Sequence, residues 1–166
     1  MANLASLYES HSRYREMEVF LGEFIAEQSD SPFRVKAHMR LVAAYEAVKD
    51  RTRVLAQLRE AAKQCELNSK WSVGVTSEQF EESCEKAFRK EGRELAAKWW
   101  DTWTKNKEHK EFTNYTKQCF EVLLTADNKL NPDTKTRYAY AELLFQMQEF
   151  QKASEQYFMV FSTGNL

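Results

Sequence analysis

The chain has 166 residues, enough for one domain with a sizeable core of its own. Its 24 basic and 25 acidic side chains leave a net charge of −1, which excludes the clear basic excess of a groove that tracks phosphates. No run of about 18 apolar residues occurs, and residues 1–7 lack the basic and apolar regions of a signal peptide, so no membrane insertion is expected.

Only 4 Gly and 2 Pro are present, which suits a helical chain with few irregular loops. The apolar spacing predicts helices over 3–11, 13–29, 32–48, 51–66, 77–107, 110–126, 132–147 and 149–162. Ser31-Pro32 and Asn131-Pro132 pair a capping residue with a proline, a combination expected to open a helix. Thr76 and Gln79 fit a capping box. WSVGV (71–75) alternates too briefly for a strand and is expected to be a loop. The fifth helix carries a stripe of Phe80, Cys84, Ala87/Phe88, Leu95, Trp99 and Trp103, and Gly92 is the place where it would kink or break. Short connections such as Asp50-Arg51 require consecutive helices to run antiparallel.

Cys65, Cys84 and Cys119 are odd in number and form no CxxC pair, so they are expected to be free, buried thiols in a reducing compartment; the chain is placed in the cytoplasm. Helical pattern begins at once and little follows Phe161, so the expectation is a single domain over 1–166 cut from a longer protein.

The spacing repeats. From Leu144, positions 4, 6, 9, 13 and 16 further on hold Gln148, Phe150, Ala153, Tyr157 and Val160. The same offsets from Tyr8 hold Ser12, Tyr14, Met17, Leu21 and Phe24, and from Tyr45 hold Lys49, Arg51, Val54, Leu58 and Ala61. A degenerate copy surrounds KEFTNYTKQCFEVL, with Phe112, Tyr115, Cys119 and Val122. Each hairpin would have an apolar face that it cannot bury alone, and stacking on a neighbour buries it. The corners LYESHSRY and LLFQMQEF, with KDRTRVLAQLREAA as a second helix, resemble the tetratricopeptide repeat, although equivalent sites are 37, 61 and 38 residues apart rather than about 34. The resemblance covers most of the chain, with an insertion near 67–90. It implies an all-α fold, a right-handed α-solenoid of antiparallel helix pairs.

It also implies a function: a non-enzymatic module or scaffold that binds a peptide or amphipathic helix of another protein in a concave groove. In this family the first helix of each pair lines that groove. Carried onto this sequence, the groove slots fall on Met39, Trp100, Tyr138, Glu142 and Phe145, flanked by Lys36 and Lys135. The Lys/Asn/Arg clamp by which some members hold a chaperone's C-terminal carboxylate is not matched at Met39, Trp100 and Tyr138, so chaperone-tail binding is not expected. The alternative is an all-helical enzyme or small-ligand receptor with a pocket at the Trp cluster and Arg93, Lys98 or His109 as polar anchors. Self-association through the C-terminal helix, by Phe158 and Phe161, is a third expectation.

Other chemistry is sparse. His11, His38 and His109 have no second ligand at metal spacing, and neither HExxH nor Glu-x-x-His occurs, so no metal is expected. Glycines are scattered, there is no GxSxG elbow, and no catalytic residue or cofactor is assigned.

Overall fold

The structure is a computed structural model that describes residues 4–106, 109–127 and 132–163, with side chains from Arg13 onward. It is all-helical, with no strand among the described residues. The elements are α1 (Leu4–Glu27), α2 (Arg34–Ala47), α3 (Arg51–Cys65), α4 (Lys70–Gly74), α5 (Ser77–Phe80), a π-helical segment (Glu81–Glu91), α6 (Gly92–Lys105), α7 (Lys110–Thr125), α8 (Thr134–Gln146) and α9 (Phe150–Ser162).

Helix α1 runs unbroken through Ser12, where the repeat pattern places a corner. The expected helices 3–11 and 13–29 are therefore one. Glu9 to Arg15 contains no Gly, Pro, Asn or Asp that would end a helix, and a polar residue in the turn slot does not by itself make a turn.

The other two intact copies do turn there. Lys49 and Gln148, the fourth-offset residues after Tyr45 and Leu144, both take a left-handed backbone, with φ of 59° and 63°. The Asp50 N–H donates to the Tyr45 carbonyl and the Glu149 N–H to the Leu144 carbonyl, each at 2.9 Å. These are the same αL helix ends made twice, here without glycine. The slots that follow are likewise occupied alike: Val54 and Ala153 are buried, as are Ala61 and Val160.

Neither proline opens a helix. Helix α2 starts at Arg34, two residues after Pro32, and Ser31 Oγ accepts from the Phe33 N–H at 3.2 Å. Helix α8 starts at Thr134, and its cap is Asp133, whose carboxylate accepts from the Thr136 N–H at 3.1 Å and the Thr136 hydroxyl at 2.6 Å. Asn131 lies outside the described residues. The Thr76–Gln79 capping box forms in both directions.

WSVGV is helical rather than a loop: Ser69 caps α4, Trp71 is buried, and its indole N–H donates to the Ser31 carbonyl at 2.8 Å. Beyond it the helix runs from Ser77 to Lys105 without a break at Gly92. Gly92 is buried there against Leu123 of α7, which a Cβ would meet, so the glycine permits the close approach of α6 and α7. The π-helical segment has more residues per turn and buries Ser83, Cys84, Ala87, Phe88 and Arg89. The Arg89 guanidinium pairs with Glu85 at 3.0 Å and donates to the Ala126 carbonyl at 3.0 Å, closing the C-terminus of α7.

Cys65 and Cys84 are joined in a disulfide with Cα atoms 5.6 Å apart, tying the end of α3 to the π-helical segment. Only Cys119 is free; it is buried, and burial pushes its thiol pKa far up. The expectation of three free thiols is overturned, and the reducing compartment that rested on it loses its ground. No described helix is long and apolar enough to cross a membrane.

Packing runs from neighbour to neighbour. Helix α2 lies against α1, α3 and the π-helical segment; α3 lies against α7; α7 lies against α6 and α8; and α8 pairs with α9. The α8–α9 hairpin joins the rest chiefly through α7, where Lys117 Nζ reaches Glu149 at 2.7 Å. Arg51, which stands where the repeat expects an aromatic, places its guanidinium 4.6 Å from the Phe112 ring centroid, on the α3–α7 seam.

Candidate functional site

The structure separates the residues that the sequence grouped into one column. Met39 and Lys36 belong to a groove between α1, α2 and the π-helical segment, with a volume of about 860 Å³. Trp100, Tyr138, Glu142, Phe145 and Lys135 lie on α6 and α8. No hydrogen bond, ion pair or ring contact joins the two groups among the described residues.

The floor of the groove is apolar, made by Phe20, Leu21 and Phe24 from α1, Ala37, Met39 and Ala43 from α2, and Ala87. Phe20, on the first helix, is 67% exposed, and Phe33 at the entry to α2 is exposed as well. Met39 is only 4% exposed, so it forms the bottom of the groove rather than a projecting contact. Its spacing from Val35 and Val42 turns it toward the core shared by α2 and α3.

Charged side chains stand along the rim. Lys36, Arg40, Lys86 and Lys90 alternate with Glu82, Glu91 and Glu94. Glu82 pairs with Lys86 and lies 3.9 Å from Lys36; its hydrogen bond with Lys86 holds its carboxyl below the usual range. Burial raises Glu91, with the Glu94 charge adding to the effect and Arg40, Lys90 and Lys36 opposing it. The groove thus has a greasy floor and a rim of both signs.

The second group sits around the last hairpin. Trp100 is half-buried, meets the Phe120 ring edge-on and donates to Gln146 Oε1 at 3.3 Å, bridging α6 to α8. Tyr138 is 46% exposed and meets Tyr157 edge-on; Phe145, also exposed, meets Phe150 in the same way. Glu142 accepts a hydrogen bond from the Tyr157 hydroxyl. Its charge raises the Tyr138 pKa, and burial followed by that hydrogen bond raises Tyr157. Lys135 is exposed. The side chain of His11 lies outside the described residues.

Two of the three polar residues named as anchors at the Trp cluster, Arg93 and Lys98, are paired within the fold. Trp99 donates to Glu46 at 3.0 Å and Trp103 to Thr113 at 2.8 Å, and both rings are buried. Lys98 pairs with Glu46 at 3.0 Å and Arg93 with Asp133 at 3.1 Å. His109 is exposed at the start of α7, where its side chain makes no capping hydrogen bond. His38 is buried with Nδ1 2.8 Å from Gln57 Oε1. Among the described residues, no group of three or more His, Cys, Asp and Glu is placed to hold a metal ion.

Sequence reasoning did not find Phe20 and Phe33 as groove residues. The signal was present in VFLGEFI (19–25), where Phe20 and Phe24 are four apart on one face of α1. It is obscured because Leu21 and Phe24 also fit a repeat copy whose corner does not form. Compared with known proteins, the chain matches no family model, no curated protein and no solved structure.

Proposed function

We propose that the chain is a non-enzymatic protein-binding module, a stack of antiparallel helix hairpins of the tetratricopeptide kind, that takes an amphipathic helix of another protein in the groove of α1, α2 and the π-helical segment. The observation that carries this reading is an open groove of about 860 Å³ with Phe20, Leu21, Phe24 and Met39 as its floor and charges of both signs on its rim. A helix lays apolar side chains at i, i+3, i+4 and i+7 into such a floor, and the rim selects its flanking charges. The neighbour-to-neighbour packing and the twice-made αL corner support the stacked-hairpin arrangement.

The test is selection of peptides from a displayed library against the purified chain. Winning peptides should carry the helical apolar spacing and should lose binding at least tenfold to Phe20→Glu and to Phe33→Glu, a loss of about 1.4 kcal/mol. Val73→Glu, at an exposed site on α4, should leave binding intact. Peptides that bind both groove variants as well as the parent chain would refute the groove.

A further inference from the structure

Helix α9 has two apolar faces, and among the described residues only one is covered. Ala153 and Val160 are buried within the hairpin. Phe150, Ser154, Phe158 and Phe161 share the adjoining face, and its three aromatics are exposed, Phe161 by 75%. Beside them on α8 stand Tyr138 and Phe145, so one side of the terminal hairpin is a continuous aromatic surface. A surface of that kind on a soluble chain marks an interaction site.

The charges and spacing on this surface identify its occupant. Lys135 makes no ion pair among the described residues. Glu142, seven residues on along α8, is half-buried beside Tyr157 and Tyr138 and makes no ion pair among the described residues. An axis crossing α8 between Tyr138 and Ala139 brings each Lys135 opposite Glu142 of an antiparallel copy, twice over. Phe150 and Phe161 have the same property on α9: an axis between Glu155 and Gln156 sets each against the other, with the small Ser154 near the crossing.

These two axes are one. The ring contacts place Tyr138 level with Tyr157 and Phe145 level with Phe150, so the α8 midpoint lies level with Gln156 and Tyr157. That is about one residue, or ~1.5 Å of rise, from the α9 midpoint. A foreign helix would not require charge and aromatic positions to be symmetric about one line; a second copy of this chain does. We propose that the α8–α9 face pairs antiparallel, about a two-fold axis, with the same face of a second copy of this chain. The groove of α1, α2 and the π-helical segment stays open in that dimer.

The test is sedimentation velocity on the full chain over a concentration series reaching the sub-millimolar range. The parent chain should dimerise, and Phe161→Glu should weaken the dimer by roughly a hundredfold or more, because two aromatic side chains are lost per dimer. Lys135→Glu and Glu142→Lys should each weaken self-association by about three- to tenfold, since both symmetric pairs become like-charged. Mixed together, these two variants should form a heterodimer as tight as the parent dimer, because every pair is again of opposite sign. Thermal melts by circular dichroism confirm folding of each variant. A parent chain that stays monomeric, which would leave the face to a different protein, overturns the proposal. So does a dimer indifferent to Phe161→Glu, or a charge-variant mixture no tighter than its components.

Discussion

Gly92→Ala tests the closest approach in the fold. A methyl group added at Gly92 would fall inside contact distance of Leu123 Cδ2, with Cγ at 3.5 Å and Cδ1 at 3.7 Å. Leu123 is itself fully buried in α7 and cannot swing into solvent. Overpacking of this kind costs about 1–3 kcal/mol. Alanine is the better helix former by about 1 kcal/mol, which leaves a net destabilisation of about 0–2 kcal/mol. That single number is a weak test; the cycle with Leu123→Ala is a strong one. Leu123→Ala alone should cost about 2–5 kcal/mol. In its background the clash is gone, so Gly92→Ala should now stabilise by about 1 kcal/mol, a coupling of about 1–3 kcal/mol between the two sites. Urea unfolding of the four proteins, followed by far-UV circular dichroism, measures it. If Gly92→Ala has the same effect in both backgrounds, α6 and α7 do not meet at this point.

Two further perturbations probe the same packing. Cys65→Ser with Cys84→Ser opens a loop whose ends are 19 residues apart in sequence, and the chain-entropy relation gives a loss of about 3 kcal/mol. The midpoint of denaturant unfolding should fall accordingly, and parent chain treated with reductant should fall with it; equal midpoints for oxidised and reduced protein would mean that the bridge is not formed. His38 is 3% exposed, and burial lowers its pKa below the ordinary value of 6.5, the nearby Arg34 charge acting in the same direction and Gln57 and Glu60 against it. The unfolded chain therefore binds this proton more readily than the folded one, and the contribution is intact above pH 6.5 and lost as pH falls below it. Stability should decline on that acid side with a His38 share of at most ~1.4 kcal/mol per pH unit, absent from His38→Gln; the same slope in both proteins would show that His38 is not the group responsible.

Helix existence was legible because apolar spacing at three and four residues carries it, and α2, α3, α7, α8 and α9 fall within about two residues of their expected ends. The corners were legible only in part. Copies starting at Tyr45 and Leu144 make the same αL turn, while the copy starting at Tyr8, which looked as good on the page, is a straight helix. The difference lies in backbone conformation, and a Lys or Gln in αL leaves no mark in composition as a glycine would. Gly92 misled in the opposite direction: a glycine in a helical run reads as a break, but here it answers to a leucine some thirty positions away. The Cys65–Cys84 pair has the same cause, since an intervening turn of helix brings together two residues that no local spacing relates.

Taking α1 as two short helices also decided what became of the candidate site. In the single long α1, Phe20 is exposed and lines the groove together with α2 and the π-helical segment. The slots transferred by repeat spacing therefore located Met39 and Lys36 and missed the aromatics Phe20, Phe24 and Phe33. On α8 the same transfer found Tyr138, Glu142 and Phe145 correctly as one helix face, because four- and three-residue steps are local. What it could not supply was the neighbour: Tyr157 and Phe150 of α9 meet that face at its edge, and Tyr138, Phe145, Phe150 and Phe161 remain exposed. Groove and aromatic face thus lie on different elements of the fold, with α3 and α7 packed in sequence between α2 and α8.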